Sequence, residues 1–317
     1  MEKKNDLSVG HNRSIRACIS DGYQLYVGNF YRIFRASWLA ALLYAVVCGG
    51  ATSYIISVYP RLLVVNAMGA EAVTAQAVWV VSTLIAMAVS MLLVLLVTAI
   101  LFSYGVSLLS EHQATAGISK APRWFGRFDG RALLRTLMAL GWELLILVVV
   151  GVVLSAVAVV SQRFLGHYAG IALETIFAVA FIVMLLPLTY TLLAYLFTQK
   201  LSFASALKAT YGYGMRRIGA IFMVGLVVGL VSLLLSAIIE LPANILYLAN
   251  MQSQAGLLQA DPSGMPEYMN WMNLLVFTLA GFIQAYVQLS CLFPLYYLYH
   301  KLKWDNEQNK QHQNQIQ

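Results

Sequence analysis

Residues Leu144 to Val160 read LLILVVVGVVLSAVAVV, a run without a charged side chain and without alternation of polar and apolar positions. Crossing the hydrocarbon of a bilayer as a helix takes about 20 predominantly apolar residues. A membrane barrel strand would instead alternate apolar with polar side chains. Backbone groups in hydrocarbon must bond within the protein, which restricts spanning structure to helices and closed barrels. The stretch therefore reads as the body of a transmembrane helix.

The rest of the chain agrees with it. Of 317 residues, 60% are hydrophobic and 10% charged, against about 25% charged in soluble domains. Further apolar runs bring the expected spans to six, at 38–58, 78–109, 134–161, 169–198, 218–247 and 271–300. The expected fold is an all-α polytopic membrane domain over 1–303. The polar, low-complexity stretch 304–317 is expected to be a disordered cytosolic tail. The first span is expected to serve as its own insertion signal, without a cleavable signal sequence.

Lysine and arginine give the orientation, since loops on the cytoplasmic side collect them. With both termini in the cytosol, only Arg61 and Arg163 of the 20 basic residues lie on the far side. The expected location is the bacterial inner (cytoplasmic) membrane, multi-pass, N-in and C-in. The net charge of +7 then implies attraction to anionic lipid headgroups and not to nucleic acid. Cys18, Cys48 and Cys291 form no metal-type or disulfide framework and read as packing residues.

A repeat is visible within this plan. SIRACISDGY (14–23) and SFASALKATY (202–211) begin with serine, continue with an apolar residue and end in tyrosine, and each opens an amphipathic stretch before a span. Proline followed by tyrosine recurs in VMLLPLTYTLLAY (183–195) and LSCLFPLYYLYHKLK (289–303). The chain reads as three parallel units of interfacial helix plus hairpin, at about 10–110, 119–200 and 202–303. In the middle lead, Arg123, Arg127, Arg131 and Arg135 recur every four residues beside Trp124, Phe125 and Phe128. They are candidate contacts for anionic lipid. Pro187 and Pro294 each remove a helical N–H and are candidate kinks.

The segment ISDGYQLYVGNFYRIFRASWLAALL (19–43), with this plan of interfacial helix, span and proline-bearing span, resembles poorly characterised six-span bacterial integral membrane proteins. It is similar in plan to the membrane region of some glycerophosphodiester phosphodiesterases. Their catalytic domain has no counterpart in these residues, so the resemblance implies a membrane fold and not that activity.

Enzyme motifs are missing: no zinc-type histidine pair, phosphate loop, dinucleotide fingerprint or nucleophile elbow occurs. No cofactor is expected, and the histidines read as solvated. Polar groups inside apolar spans remain, namely Glu143, Glu174, Glu240, Gln284 and Gln288. Ionisable groups in a bilayer are costly to bury and mark candidate sites. Glu143 is expected near a cytosolic arginine. Glu240 ends a stripe of Gly225, Gly229, Ser232 and Ser236, which reads as a close-packing seam. The expected function is a non-enzymatic membrane scaffold or accessory protein with lipid-associating basic helices and a membrane-protein partner. The alternative is a transporter or lipid-handling protein with a site near Glu240, Glu174 and Gln288.

Overall fold

The computed structural model describes residues 14–67, 69–115, 130–198, 202–258 and 268–316. Among them the regular structure is entirely helical. The elements are α1 (Ile15–Gly28), α2 (Phe30–Ala67), α3 (Ala70–Ala75), α4 (Ala77–Thr115), α5 (Gly130–Leu165), α6 (His167–Phe197), α7 (Phe203–Arg216), α8 (Ile218–Ile239), α9 (Leu241–Leu258) and α10 (Tyr268–Ile316). Six of these, α2, α4, α5, α6, α8 and α10, are long and apolar enough to cross a membrane.

Local chemistry explains the boundaries. Ser14 and Ser202 cap α1 and α7, their hydroxyls accepting from the N–H groups of Ala17 at 3.1 Å and Ser205 at 3.3 Å. Such caps satisfy an orphan donor of the first turn. The chain leaves α5 for α6 through Gly166 at φ +78°, a left-handed conformation that glycine adopts without a Cβ penalty. α8 gives way to α9 at Glu240, because Pro242 supplies no N–H to the preceding turn. Helical bonding persists around this turn, with the Glu240 N–H donating to Ser236 and Asn244 donating to Glu240, both at 2.8 Å.

α10 departs from expectation at its end. Residues 304–316, expected to lack regular structure, continue the helix. Once a span has nucleated a helix, each further residue adds a hydrogen bond at low cost. A Lys301–Asp305 pair at 3.6 Å one turn apart assists at that junction.

The chain forms two compact units. The first comprises Met1–Ile33, Phe102–Gly229 and Cys291–Gln317. Its core joins Tyr190, Leu193, Ile221, Val224, Leu298 and Leu302, with Ile15 and Ile19 of α1 packed against them. A smaller cluster holds Ala139, Tyr195 and Ala206.

The second unit comprises Phe34–Leu101 and Leu230–Ser290. Here α2 and α10 meet closely. A Cβ on Gly49 would lie 2.7 Å from the Thr278 nitrogen, and one on Gly281 would lie 3.3 Å from Ala45 Cα. Ala41 and Ala45 on the same face of α2 are fully buried. This is the small-residue seam, and it is not where the sequence placed it. Gly225 and Gly229 of α8 meet nothing within 4 Å. Spacing of small residues is equally regular in both helices, but only on α2 does another backbone come near.

Two substitutions test the close approaches. Gly22→Ala and Gly49→Ala force a Cβ to within 2.5 Å and 2.7 Å of a backbone atom. Overpacking of that kind costs about 1–3 kcal/mol, more than the roughly 1 kcal/mol alanine gains over glycine in a helix. Both should lower the thermal transition of the detergent-purified protein. Gly50→Ala, with nothing within 4 Å, should leave it unchanged or raise it.

Candidate functional site

Pro187 and Pro294 stand inside α6 and α10, and both are buried. Each is covered by one of the capped 14-residue helices, within the first unit. α7 covers Pro187. A Cβ on Gly214 would meet the Pro187 Cβ at 3.1 Å and its carbonyl oxygen at 3.2 Å. Thr210 Oγ1 is 3.1 Å from Thr191 Oγ1, one turn beyond the proline. The Tyr211 hydroxyl donates to the Met184 carbonyl at 3.0 Å, beside the Val183 carbonyl that Pro187 deprives of its donor.

α1 covers Pro294 in the same manner. A Cβ on Gly22 would lie 2.5 Å from both Cα and N of Pro294. Tyr26 meets Phe293 edge-on at 5.1 Å between centroids, and the Cys18 thiol faces the Tyr297 carbonyl at 3.9 Å.

The buried faces of the two helices align at one register, although the glycine at the proline contact shifts by a turn, Gly22 matching Thr210 and Gly214 matching Tyr26. The buried residues of α1 are Cys18, Gly22 and Tyr26, and those of α7 are Ala206, Thr210 and Gly214, each 188 residues later. Tyr211 likewise stands 188 after Tyr23. Its acceptor Met184 stands 107 before Cys291, as Pro187 stands 107 before Pro294. Tyr23 indeed neighbours Cys291 electrostatically, but its hydroxyl is buried without a hydrogen-bond partner among the described residues. Burial pushes its phenol up to about 12, so it stays neutral.

Beside this lies an aromatic and basic cluster that the sequence reading missed. Arg135 Nη1 donates to the Thr198 carbonyl at 2.7 Å, at the C-terminus of α6. Its guanidinium stacks 4.8 Å from the Tyr195 ring centroid. A cation suits the negative end of a helix. Thr198 Oγ1 in turn bonds the Tyr299 hydroxyl at 2.9 Å. Arg135 is thus engaged by protein groups, a partnership the four-residue spacing did not reveal. Arg131 is exposed, and Arg123 and Arg127 lie outside the described residues. His300, read as solvated, is 1% exposed and packs on Tyr296 at 4.5 Å and Tyr299 at 5.1 Å. Its signal was the tyrosine one turn before it.

In the second unit, Gln284 and Gln288 are both engaged. Gln284 exchanges hydrogen bonds with Ser236 at 2.7 and 3.0 Å. Gln288 Nε2 donates to the Tyr44 hydroxyl at 2.9 Å. Glu240, one turn past Ser236, is exposed and not turned inward as the stripe implied. Glu174 is half-buried and belongs to the first unit. Glu143 is exposed and makes no ion pair among the described residues, which corrects the expected arginine partner.

These features define a class, a multi-pass helical membrane protein whose described interior is tied by side-chain hydrogen bonds and proline-docked helices. No family model, curated protein or solved structure matches the chain.

The paired tyrosines make a direct comparison. Tyr211→Phe removes a made hydrogen bond and should cost about 1 kcal/mol. Tyr23→Phe removes a buried hydroxyl without a partner and should be neutral or stabilising. Thermal unfolding of the two variants side by side checks both signs. Tyr44→Phe, Gln288→Leu and their double variant should show a coupling of about 0.6–2 kcal/mol, the scale of hydrogen bonds within membrane bundles.

Proposed function

We propose that the chain is a non-enzymatic scaffold or accessory protein of the bacterial cytoplasmic membrane, built from three parallel repeats with both termini in the cytosol. In this reading α1 and α7 are interfacial helices at the cytosolic headgroups. One observation supports it above the rest. Two helices of equal length, with serine caps and buried positions 188 residues apart, each close over a proline in a span. A duplicated docking geometry of this kind is what repeated hairpins entering from one side would produce. Arg16, Lys208 and Arg216 remain exposed on these helices, where cations attract anionic lipid. The partner in such a role is membrane lipid together with another membrane protein.

A second reading, transport or lipid handling, draws on Gln284, Gln288 and Glu240. Against it, both glutamines are bonded to protein side chains.

Single cysteines in a background lacking Cys18, Cys48 and Cys291 separate the two. In intact cells an impermeant maleimide should label Glu240→Cys, and should leave Leu186→Cys and Gln288→Cys protected. Ser205→Cys should label only after permeabilisation. Labelling at Leu186→Cys or Gln288→Cys would mean that water reaches the bundle interior, and transport would become the better reading. Labelling of Ser205→Cys in intact cells would reverse the proposed orientation.

A further inference from the structure

α7 carries a groove on its exposed side. Leu207, Lys208, Tyr211 and Gly212 line an open hollow of about 340 Å³ in the first unit. Its base is set by Tyr211, whose hydroxyl is drawn to the Met184 carbonyl of α6 and whose ring therefore forms a wall. Glycine within a helix weakens it, yet Gly212 is neither at a turn nor against a neighbour, for nothing lies within 4 Å of its Cβ position. The missing side chain leaves the hollow open. Lys208 stands at the rim, exposed, and makes no ion pair among the described residues.

We propose that this groove binds one anionic phospholipid, the Lys208 ammonium meeting its phosphate and an acyl chain lying along Leu207, the Tyr211 ring and Gly212. Charge and shape both point to this occupant. A free phosphate would use the lysine and leave the apolar wall unexplained. A zwitterionic lipid would use the wall but bring a phosphate already paired with its own ammonium. Met184, beside the groove, is 56% exposed on a helix apolar enough to cross a membrane, so acyl chains are the ordinary solvent there. In α1 the residues 188 positions earlier than Lys208 and Gly212 are Ser20 and Gln24, which offer neither the charge nor the space. The corresponding positions of α1 thus lack both the cation and the gap.

The proposal rests on the interfacial placement of α7, and the experiment separates the two. The full chain is reconstituted in nanodiscs of mixed phosphatidylglycerol and phosphatidylcholine, then released, and retained lipid is counted by native mass spectrometry. Lys208→Gln and Gly212→Leu should each reduce retained phosphatidylglycerol about fivefold, the weight of one cation near an anionic surface. Arg216→Gln, a surface cation of the same helix outside the groove, should reduce it by less, because lipid attracted only to the surface is lost on release. Inorganic phosphate at millimolar concentration should not compete. A spin label at Ala209 reports depth in the same nanodiscs. Equal losses for Lys208→Gln and Arg216→Gln, or no loss for Gly212→Leu, would overturn the groove as a site. A label in bulk water would instead overturn the interfacial placement itself.

Discussion

A proline inside a helix surrounded by hydrocarbon leaves a carbonyl with no donor and a bend with no filling. α6 and α10 both carry this defect, and the first unit is arranged around its repair. In each case a short helix is laid over the proline, with glycine at the contact so that backbones can meet. At Pro187 the bend is filled by α7, and the Tyr211 hydroxyl reaches the adjacent Met184 carbonyl, not the freed one of Val183. At Pro294 close packing by Gly22 fills the bend, while the corresponding Tyr23 hydroxyl stays unsatisfied. The core of Tyr190, Leu193, Ile221 and Leu298 forms beside these contacts.

The second unit faces a different shortage. Between helices in lipid there is little hydrophobic drive, because acyl chains are as apolar as leucine. Cohesion must come from close backbone approach and from side-chain hydrogen bonds. The α2–α10 seam at Gly49 and Gly281 provides the first. The Gln284–Ser236 and Gln288–Tyr44 pairs provide the second. Polar groups used for cohesion are not available to a passing solute, and this bears on the choice of a scaffold over a transporter. The carboxylates stand apart from that cohesion, exposed at Glu240 and Glu143 and half-buried at Glu174.

Much of the fold was legible in the sequence because its signals are local. Each of the six apolar runs overlaps a helix able to span a membrane. Ser14 and Ser202, which open the two similar stretches, prove to be helix caps. The candidate site was legible only in part. Gln284 and Gln288 do share a face of α10, as their spacing implied, but their partners Ser236 and Tyr44 are distant in sequence. Arg135 repeats in step with three other arginines, yet it is fastened to a helix end more than sixty residues away. The glycine stripe on α8 had the right period and no neighbour.

Composition and periodicity alone determined that this chain is helical, that it has six stretches able to cross a bilayer, and that its basic residues gather beside particular ends of them. Those properties depend on the length and polarity of continuous segments, which a sequence states directly. Tertiary structure decided which small residues form a seam, which proline is covered by which helix, and which buried hydroxyls find acceptors. Each of these depends on the approach of residues far apart in the chain, within a few tenths of an ångström, and no local pattern encodes such a distance.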